Sequence, residues 1–192
     1  MMQELIELGA NNIIVPGLLA DGCLPITLTT FMSSNPKDYN LKTGCLDWLN
    51  NFAQFHNQYL RAELKRIRHR HPHAVVFYAD YFNAALRLYS SPEQYGFGRN
   101  ALKACCGGGG PYNFNSDAQC GDPSSTVCAE PSIYISWDGA HSTEATNRLI
   151  AKGLLEGPFT IPPISDQSCI SIAVHGQKTP AAALVEHEYE LS

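Results

Sequence analysis

Basic residues and long apolar runs are both scarce in this sequence of 192 residues. Charged residues make up 16% of the chain and the net charge is −5. A nucleic-acid partner usually leaves a basic footprint, so this balance argues against one. No apolar run approaches the roughly 18 residues that a membrane span needs. Residues 1–8 hold neither the basic start nor the long apolar stretch of a signal peptide, so none is expected in this chain.

The C-x-x-C spacing is also missing, although the chain contains 7 cysteines. Its absence argues against structural zinc and thioredoxin-type chemistry. All but Cys169 lie between Cys23 and Cys128, and so many cysteines favour disulfides in a protein of the secretory pathway. The pairing stays open, except that the adjacent Cys105 and Cys106 are each expected to reach a distant partner. The cysteines are typical of a secreted protein, but no signal peptide is seen. We therefore expect that an upstream part is missing.

Helical and extended patterns alternate along the chain. Helices are predicted over residues 2–8, 46–70, 81–89 and 143–155, buried strands over 12–17 and 74–80, and loops over 21–44 and 90–136. The inward face of the long helix is predicted to hold Leu49, Phe52, Ala53, His56, Leu60, Leu64 and Ile67. The alternation predicts an α/β fold with a parallel sheet.

The predicted sheet has only two strands, which are too few to stand alone because parallel strands need neighbours and helices on both faces. We therefore expect an incomplete fold. Residues 1–164 are expected to belong to one domain, and residues 165–192, which are weakly periodic, to form a mostly disordered tail.

The sharpest candidate for chemistry is Trp137-Asp138-Gly139-Ala140-His141, which lies where the long loop meets the last helix. An Asp three residues before a His can accept a hydrogen bond from the imidazole Nδ1–H and leave Nε2 free as a general base. The start of a helix would aim both side chains above the carboxyl edge of a parallel sheet, where α/β enzymes bind ligands. The spacing alone is short and common, and it is more often that of a helix-capping Asp beside a surface His.

Several segments in the same order resemble the plant GDSL esterase/lipase family, a branch of the SGNH hydrolases. They are VPG at 15–17, GCLP at 22–25, GCL at 44–46, FA at 52–53, HN at 56–57, YADYFNAA at 78–85, ACCGGGGPYN at 104–113, WDGAHSTEA at 137–145 and IPP at 161–163. The combination is far more specific than any one segment. It looks most similar to the subgroup of alkaloid-ester and phenolic-choline-ester hydrolases.

The resemblance implies the C-terminal part of a three-layer α/β/α, flavodoxin-like SGNH hydrolase fold. It also implies that His141 is the general base and Asp138 its orienting partner, with no metal and no cofactor. The family's Ser, Gly and Asn blocks, which supply the nucleophile and the oxyanion hole, have no counterpart in this sequence. The parent protein is expected to be an extracellular hydrolase of small-molecule esters, and this chain alone to be inactive.

Two alternatives remain open at this stage. The chain could be a truncated, non-catalytic binding or regulatory protein that associates with itself or a full-length relative through an exposed sheet edge. It could also be a fragment that never accumulates as protein.

Other motifs favour structural interpretations. Asn11 follows Gly9 but precedes a strand, whereas the family's oxyanion Asn follows one. Ser124 stands in Gly121-Asp122-Pro123-Ser124, where the inserted proline favours a turn over a G-D-S block. The glycines at 107–110 lack the ending of a phosphate loop. His69, His71 and His73 are expected to be solvated, His56 to lie in the core or an interface, and Asp80 to be structural.

Overall fold

The computed structural model describes residues 2–164, so the predicted tail at 165–192, with Cys169, lies outside the described residues. The helices are α1 (Met2–Glu7), α2 (Pro25–Thr30), α3 (Asp47–Arg70), α4 (Tyr81–Ser90) and α5 (Glu144–Leu155). The strands are β1 (Asn12–Pro16), β2 (Val75–Ala79), β3 (Cys106–Gly107), β4 (Thr126–Val127) and β5 (Thr160–Ile161). All the predicted helices and strands are present, whereas α2 and the three short strands β3 to β5 were not predicted.

The central sheet is small and mixed, in the order β1-β2-β5. Strands β1 and β2 are parallel, as predicted, in register from Asn12 opposite Val75 to Pro16 opposite Ala79. The third strand, β5, runs antiparallel to β2. Alternate side chains of β2 enter different cores, because neighbouring residues in a strand point to opposite faces. Tyr78 packs with α1 and α3, and Ala79 packs with α4 and α5.

Strand β1 was predicted to be buried, and this is wrong. Asn12, Ile14 and Pro16 are exposed, and Ile14 keeps 54% of its surface accessible. The reason is that β1 pairs only with β2 within residues 2–164, so that one edge of the strand is open. Its β-branched sequence is that of a strand with neighbours on both sides.

The long helix α3 is rotated relative to the prediction. Phe52 and His56 were expected to face inward, but both are exposed. The buried face instead includes Asn50 and Asn57. The Asn57 amide accepts the Leu18 N–H at 2.8 Å and donates to the Leu18 carbonyl at 3.0 Å. The Asn50 amide accepts the Gly22 N–H at 2.9 Å. The two amides therefore satisfy backbone groups of the loop after β1, a role that apolar periodicity does not reveal.

Outward rotation of α3 exposes a stripe of aromatic side chains. The aromatic stripe consists of Trp48, Phe52, Phe55 and Tyr59, each between 49% and 63% exposed. Its members recur at steps of three and four residues, so they share one helix face. Phe31, at the end of α2, meets Trp48 edge to face, with 5.4 Å between ring centroids.

Three disulfides close the long loops: Cys23–Cys45, Cys105–Cys128 and Cys106–Cys120. The prediction that Cys105 and Cys106 reach separate distant partners is confirmed. Both bridges tie down the loop between α4 and α5, where β3 and β4 form a short antiparallel hairpin. These bridges are consistent with a protein of the secretory pathway.

Candidate active site

The turn at residues 136–141, called the DxxH turn below, lies just before α5. Thr143 caps that helix by accepting the Thr146 N–H with its side chain. The Ile26 N–H, in the first turn of α2, donates to the Gly139 carbonyl at 3.1 Å. Since α2 follows the loop that leaves the carboxyl end of β1, this hydrogen bond connects the DxxH turn to the segment after that strand.

Asp138 and His141 are joined by a short hydrogen bond. The Oδ2 atom of Asp138 lies 2.7 Å from Nδ1 of His141. The Oδ1 atom accepts the backbone N–H groups of Ala140 at 3.0 Å and His141 at 2.8 Å. The side chain of His141 is 80% exposed, whereas that of Asp138 is 24% exposed. The carboxylate thus holds the imidazole on its inner side, and Nε2 is left on the exposed side.

The environment of Asp138 keeps its carboxyl ionised. Burial by itself would raise the pKa of Asp138. Hydrogen bonds from the backbone and ring of His141 and from the Ala140 N–H oppose that effect, and the net result is a lowered pKa. An ionised Asp138 can only accept a hydrogen bond, so Nδ1 of His141 carries the proton and Nε2 of the neutral ring has a free lone pair.

Residues 104–128, called the disulfide-bonded loop below, hold the DxxH turn through backbone hydrogen bonds. The Cys105 N–H donates to the Ser136 carbonyl at 3.0 Å, and the Cys106 N–H donates to the Trp137 carbonyl at 2.6 Å. The sequence prediction missed these contacts, because they join residues some 30 positions apart by backbone groups that carry no sequence signal.

Gly139 marks the tightest point of this contact. Its φ of +102° lies in the region that favours glycine. A Cβ atom at this position would lie 2.4 Å from Cδ2 of Phe114, which belongs to the disulfide-bonded loop. The glycine between Asp138 and His141 is therefore required both by the backbone and by the approach of Phe114.

The other candidate residues lie apart from the Asp138–His141 pair. Asp80 caps α4 by accepting the Asn83 N–H at 3.1 Å, which is the structural role that was expected. Asn11 stands in the turn between α1 and β1, and Ser124 stands in an exposed turn before β4. Within residues 2–164 no serine hydroxyl hydrogen-bonds to the His141 ring. The described residues thus bring Asp138 and His141 together without a serine hydroxyl bonded to the imidazole ring.

Three further observations concern residues 2–164 as a whole. No group of three or more His, Cys, Asp and Glu side chains in this range is arranged to hold a metal ion. His71 and His73 at the end of α3 contact each other edge to face, at 5.9 Å between ring centroids. None of the helices in the described range is both long enough and apolar enough to cross a membrane.

Comparison with known proteins gives one consistent result. The sequence profile described as GDSL-like lipase/acylhydrolase matches residues 1–154. A GDSL esterase/lipase of Arabidopsis thaliana is 48% identical over 168 residues, which are 88% of this chain and 42% of the relative. The sinapine esterase of Brassica napus is 44% identical over 170 residues, which are 88% of this chain and 43% of that protein.

The chain therefore spans about two-fifths of the length of the curated relatives it matches. The matched region includes the DxxH turn and all three disulfides. This chain belongs to the GDSL-like lipase/acylhydrolase family.

Proposed function

We propose that the protein to which this chain belongs is a carboxylic ester hydrolase that works through an acyl-enzyme, with His141 as its general base. The observation that carries the proposal is the 2.7 Å contact between Asp138 Oδ2 and His141 Nδ1. It fixes the ring so that Nε2 faces outward, which is the arrangement that a Ser/His/Asp mechanism needs. Family membership adds the reaction class.

In this mechanism His141 takes the proton of an attacking serine through Nε2 and later returns it to the leaving alcohol. Asp138 stabilises the imidazolium that forms between these two steps and keeps its own charge throughout. The nucleophile and oxyanion hole belong to the Ser, Gly and Asn blocks that these 192 residues do not contain. The chain alone is therefore inactive, because loss of the nucleophile costs such enzymes on the order of 10⁶ in rate.

The same proposal gives the wider context of the chain. Residues 1–164 form the C-terminal part of a three-layer α/β/α SGNH hydrolase fold, in which further parallel strands continue the sheet beyond β1. The substrate is a small-molecule ester, and the protein acts outside the cell. The exposed Ile14, and the single strand partner that β1 has within residues 2–164, support a sheet that continues beyond β1.

Two linked assays test this function. The first measures fluorophosphonate labelling and aryl acetate hydrolysis by the 192-residue chain, and we expect neither. The second uses a chimera in which residues 1–164 replace the matching region of the Arabidopsis relative. We expect the chimera to hydrolyse aryl acetates and His141→Ala to lower its kcat by about 10⁶.

Each assay has an outcome that contradicts a different part of the proposal. Labelling of the chain alone, abolished by His141→Ala, would mean that a serine within these residues is the nucleophile. Full activity of the His141→Ala chimera would mean that His141 is not the base.

A second candidate function is favoured by the open face beside β1. An apolar groove of about 350 Å³ lies there, lined by residues that include Ile14, Ile150, Leu154 and Leu155. Open strand edges and uncovered apolar surface drive association. We propose, as the alternative, a non-catalytic binding or regulatory protein that pairs with itself or a full-length relative. Sedimentation of the chain as a monomer at all concentrations, with no binding to a relative, would contradict it.

A further inference from the structure

The DxxH turn is closed around one buried hydroxyl, that of Ser136. This residue is 2% exposed. Its Oγ accepts the Gly139 N–H at 3.0 Å and donates to the His141 carbonyl at 3.3 Å. The Trp137 N–H donates to the same carbonyl at 2.8 Å. A single oxygen atom therefore links the middle of the turn to its end.

The hydroxyl answers a need created by the turn itself. Because Gly139 has a positive φ, its N–H points into the turn, where it is buried. A buried N–H without a partner destabilises a fold, and Ser136 Oγ is the partner that this N–H has. The backbone of Ser136 meanwhile accepts the Cys105 N–H. Ser136 thus joins the disulfide-bonded loop on one side to the DxxH turn on the other.

We propose that Ser136 is a positioning residue, which holds His141 in the orientation where its Nδ1–H meets Asp138. It touches neither the imidazole ring nor the carboxylate, and it acts through the Gly139 N–H and the His141 carbonyl. The inference rests on the proposed function only for the use made of His141, since the hydrogen-bond geometry exists without any ester. The competing explanation is that Asp138 closes the turn alone, through the two backbone N–H groups that its Oδ1 accepts.

Nitrogen-15 NMR of the 192-residue chain separates these explanations, because ring nitrogen shifts report which nitrogen of neutral His141 carries the proton. The variant is Ser136→Ala. We expect the population ratio of the Nε2–H to the Nδ1–H tautomer to rise by about 2- to 10-fold, the range that loss of one net hydrogen bond gives.

The matched control is Thr146→Val. Thr146 is 1% exposed, and its hydroxyl donates to the Ile135 carbonyl at 3.0 Å, next to the DxxH turn but outside it. We expect this variant to lose stability and to keep the native tautomer ratio. An unchanged ratio in Ser136→Ala, or an equal change in Thr146→Val, would overturn the proposal.

Amide hydrogen exchange in the unaltered chain gives a second test that does not depend on how well a variant folds. Gly139 and Gly121 have φ values of +102° and +98°, and each N–H donates to a serine Oγ. The Gly121 bond is exposed, whereas the Gly139 bond is buried. We expect the Gly139 amide to exchange at least about 10-fold more slowly than that of Gly121, relative to their unstructured rates. Equal rates would mean that Ser136 does not hold the turn.

Neither test uses catalysis, so failure of the positioning role of Ser136 is distinguishable from failure of the proposed function. A chimera that hydrolyses esters while Ser136→Ala keeps the native tautomer ratio would refute the positioning role alone. A native chain with the expected tautomer and an inactive chimera would refute the hydrolase and leave the positioning role intact.

Discussion

The DxxH turn and strand β1 differ in how many of their hydrogen-bonding and packing partners lie within residues 2–164. The turn is held by Ser136, by two backbone hydrogen bonds from the disulfide-bonded loop and by Phe114 against Gly139. Strand β1 pairs on one edge only within residues 2–164 and leaves Ile14 54% exposed. The geometry of the Asp138–His141 pair is thus completed by contacts within residues 2–164, whereas the sheet at the edge of β1 is not.

This difference teaches that the Asp138–His141 pair is organised independently of the open edge of the sheet. The turn that carries His141 and Asp138 is held by residues 104–143 and by the Ile26 N–H, and none of these hydrogen bonds involves the open edge of β1. The following experiments sharpen or break that contrast, from the largest expected effect to the smallest.

The largest effect is expected from Asp138→Asn in the chimera described above. The amide cannot hold the Nδ1–H tautomer, so we expect kcat to fall by about 10⁴ while the fold is kept. Steady-state kinetics with an aryl acetate measure the loss, and Asp80→Asn serves as the control, because Asp80 caps α4 away from the turn. A fall of less than tenfold would mean that Asp138 does not orient His141 as the base.

Gly139→Ala should cause the largest loss of stability in the turn. We expect about 1–2 kcal/mol from the left-handed backbone and about 1–3 kcal/mol more from the collision with Phe114. Gly121→Ala is the matched control, because its φ is +98° but no atom lies within 4 Å of the added Cβ. Urea unfolding of the chain measures both variants. Equal losses in the two would show that Phe114 moves aside at little cost in stability.

Ile14→Lys tests the open edge. If the chain associates through β1, a charge at this position should weaken the dimer by about 10-fold or more, since the loss of one buried Ile contact outweighs 1.4 kcal/mol. The free energy of unfolding of the monomer should hardly change, because Ile14 is already exposed. Sedimentation equilibrium gives the dissociation constant. Phe55→Lys, on the aromatic stripe, is the control. An equal effect there would mean that the interface is not confined to β1.

The smallest effect is the pH dependence of stability at Asp138. Its pKa is lowered in the folded state, so its contribution is present above the unfolded pKa of about 3.9 and is lost as pH falls through the folded value. Urea unfolding between pH 2 and 7 should therefore show a steeper acid loss for the native chain than for Asp138→Asn. Parallel pH curves for the two proteins would mean that the hydrogen bonds to Oδ1 and Oδ2 are not maintained in solution.

Sequence patterns predicted the features that depend on neighbours along the chain. The helices α3, α4 and α5, the parallel pair of β1 and β2, and the spacing that lets Asp138 reach His141 all follow from local periodicity or a three-residue offset. The helix α2 was missed because Pro25 suggests a loop, although proline is also favoured at the first position of a helix. Strand β5, with two residues, is too short for any periodic signal.

The rotation of α3 and the support of the DxxH turn could not be predicted for a different reason. Asn57 is buried because Leu18, far away in sequence, offers it two backbone partners. Phe114 and Cys105 reach the turn because their loop folds back against it. Such contacts depend on tertiary structure, and residue type alone does not reveal them.

The adjacent cysteines also constrain how the chain can be oxidised. Cys105–Cys128 and Cys106–Cys120 are nested rather than crossed, with sequence separations of 23 and 14. Neighbouring side chains of an extended segment point to opposite faces, so the two thiols are sorted once this segment pairs with residues 136–137. Exchange of partners would require the segment to turn over. In the folded chain, the backbone pairing with the DxxH turn and the pairing of the thiols therefore specify the same arrangement.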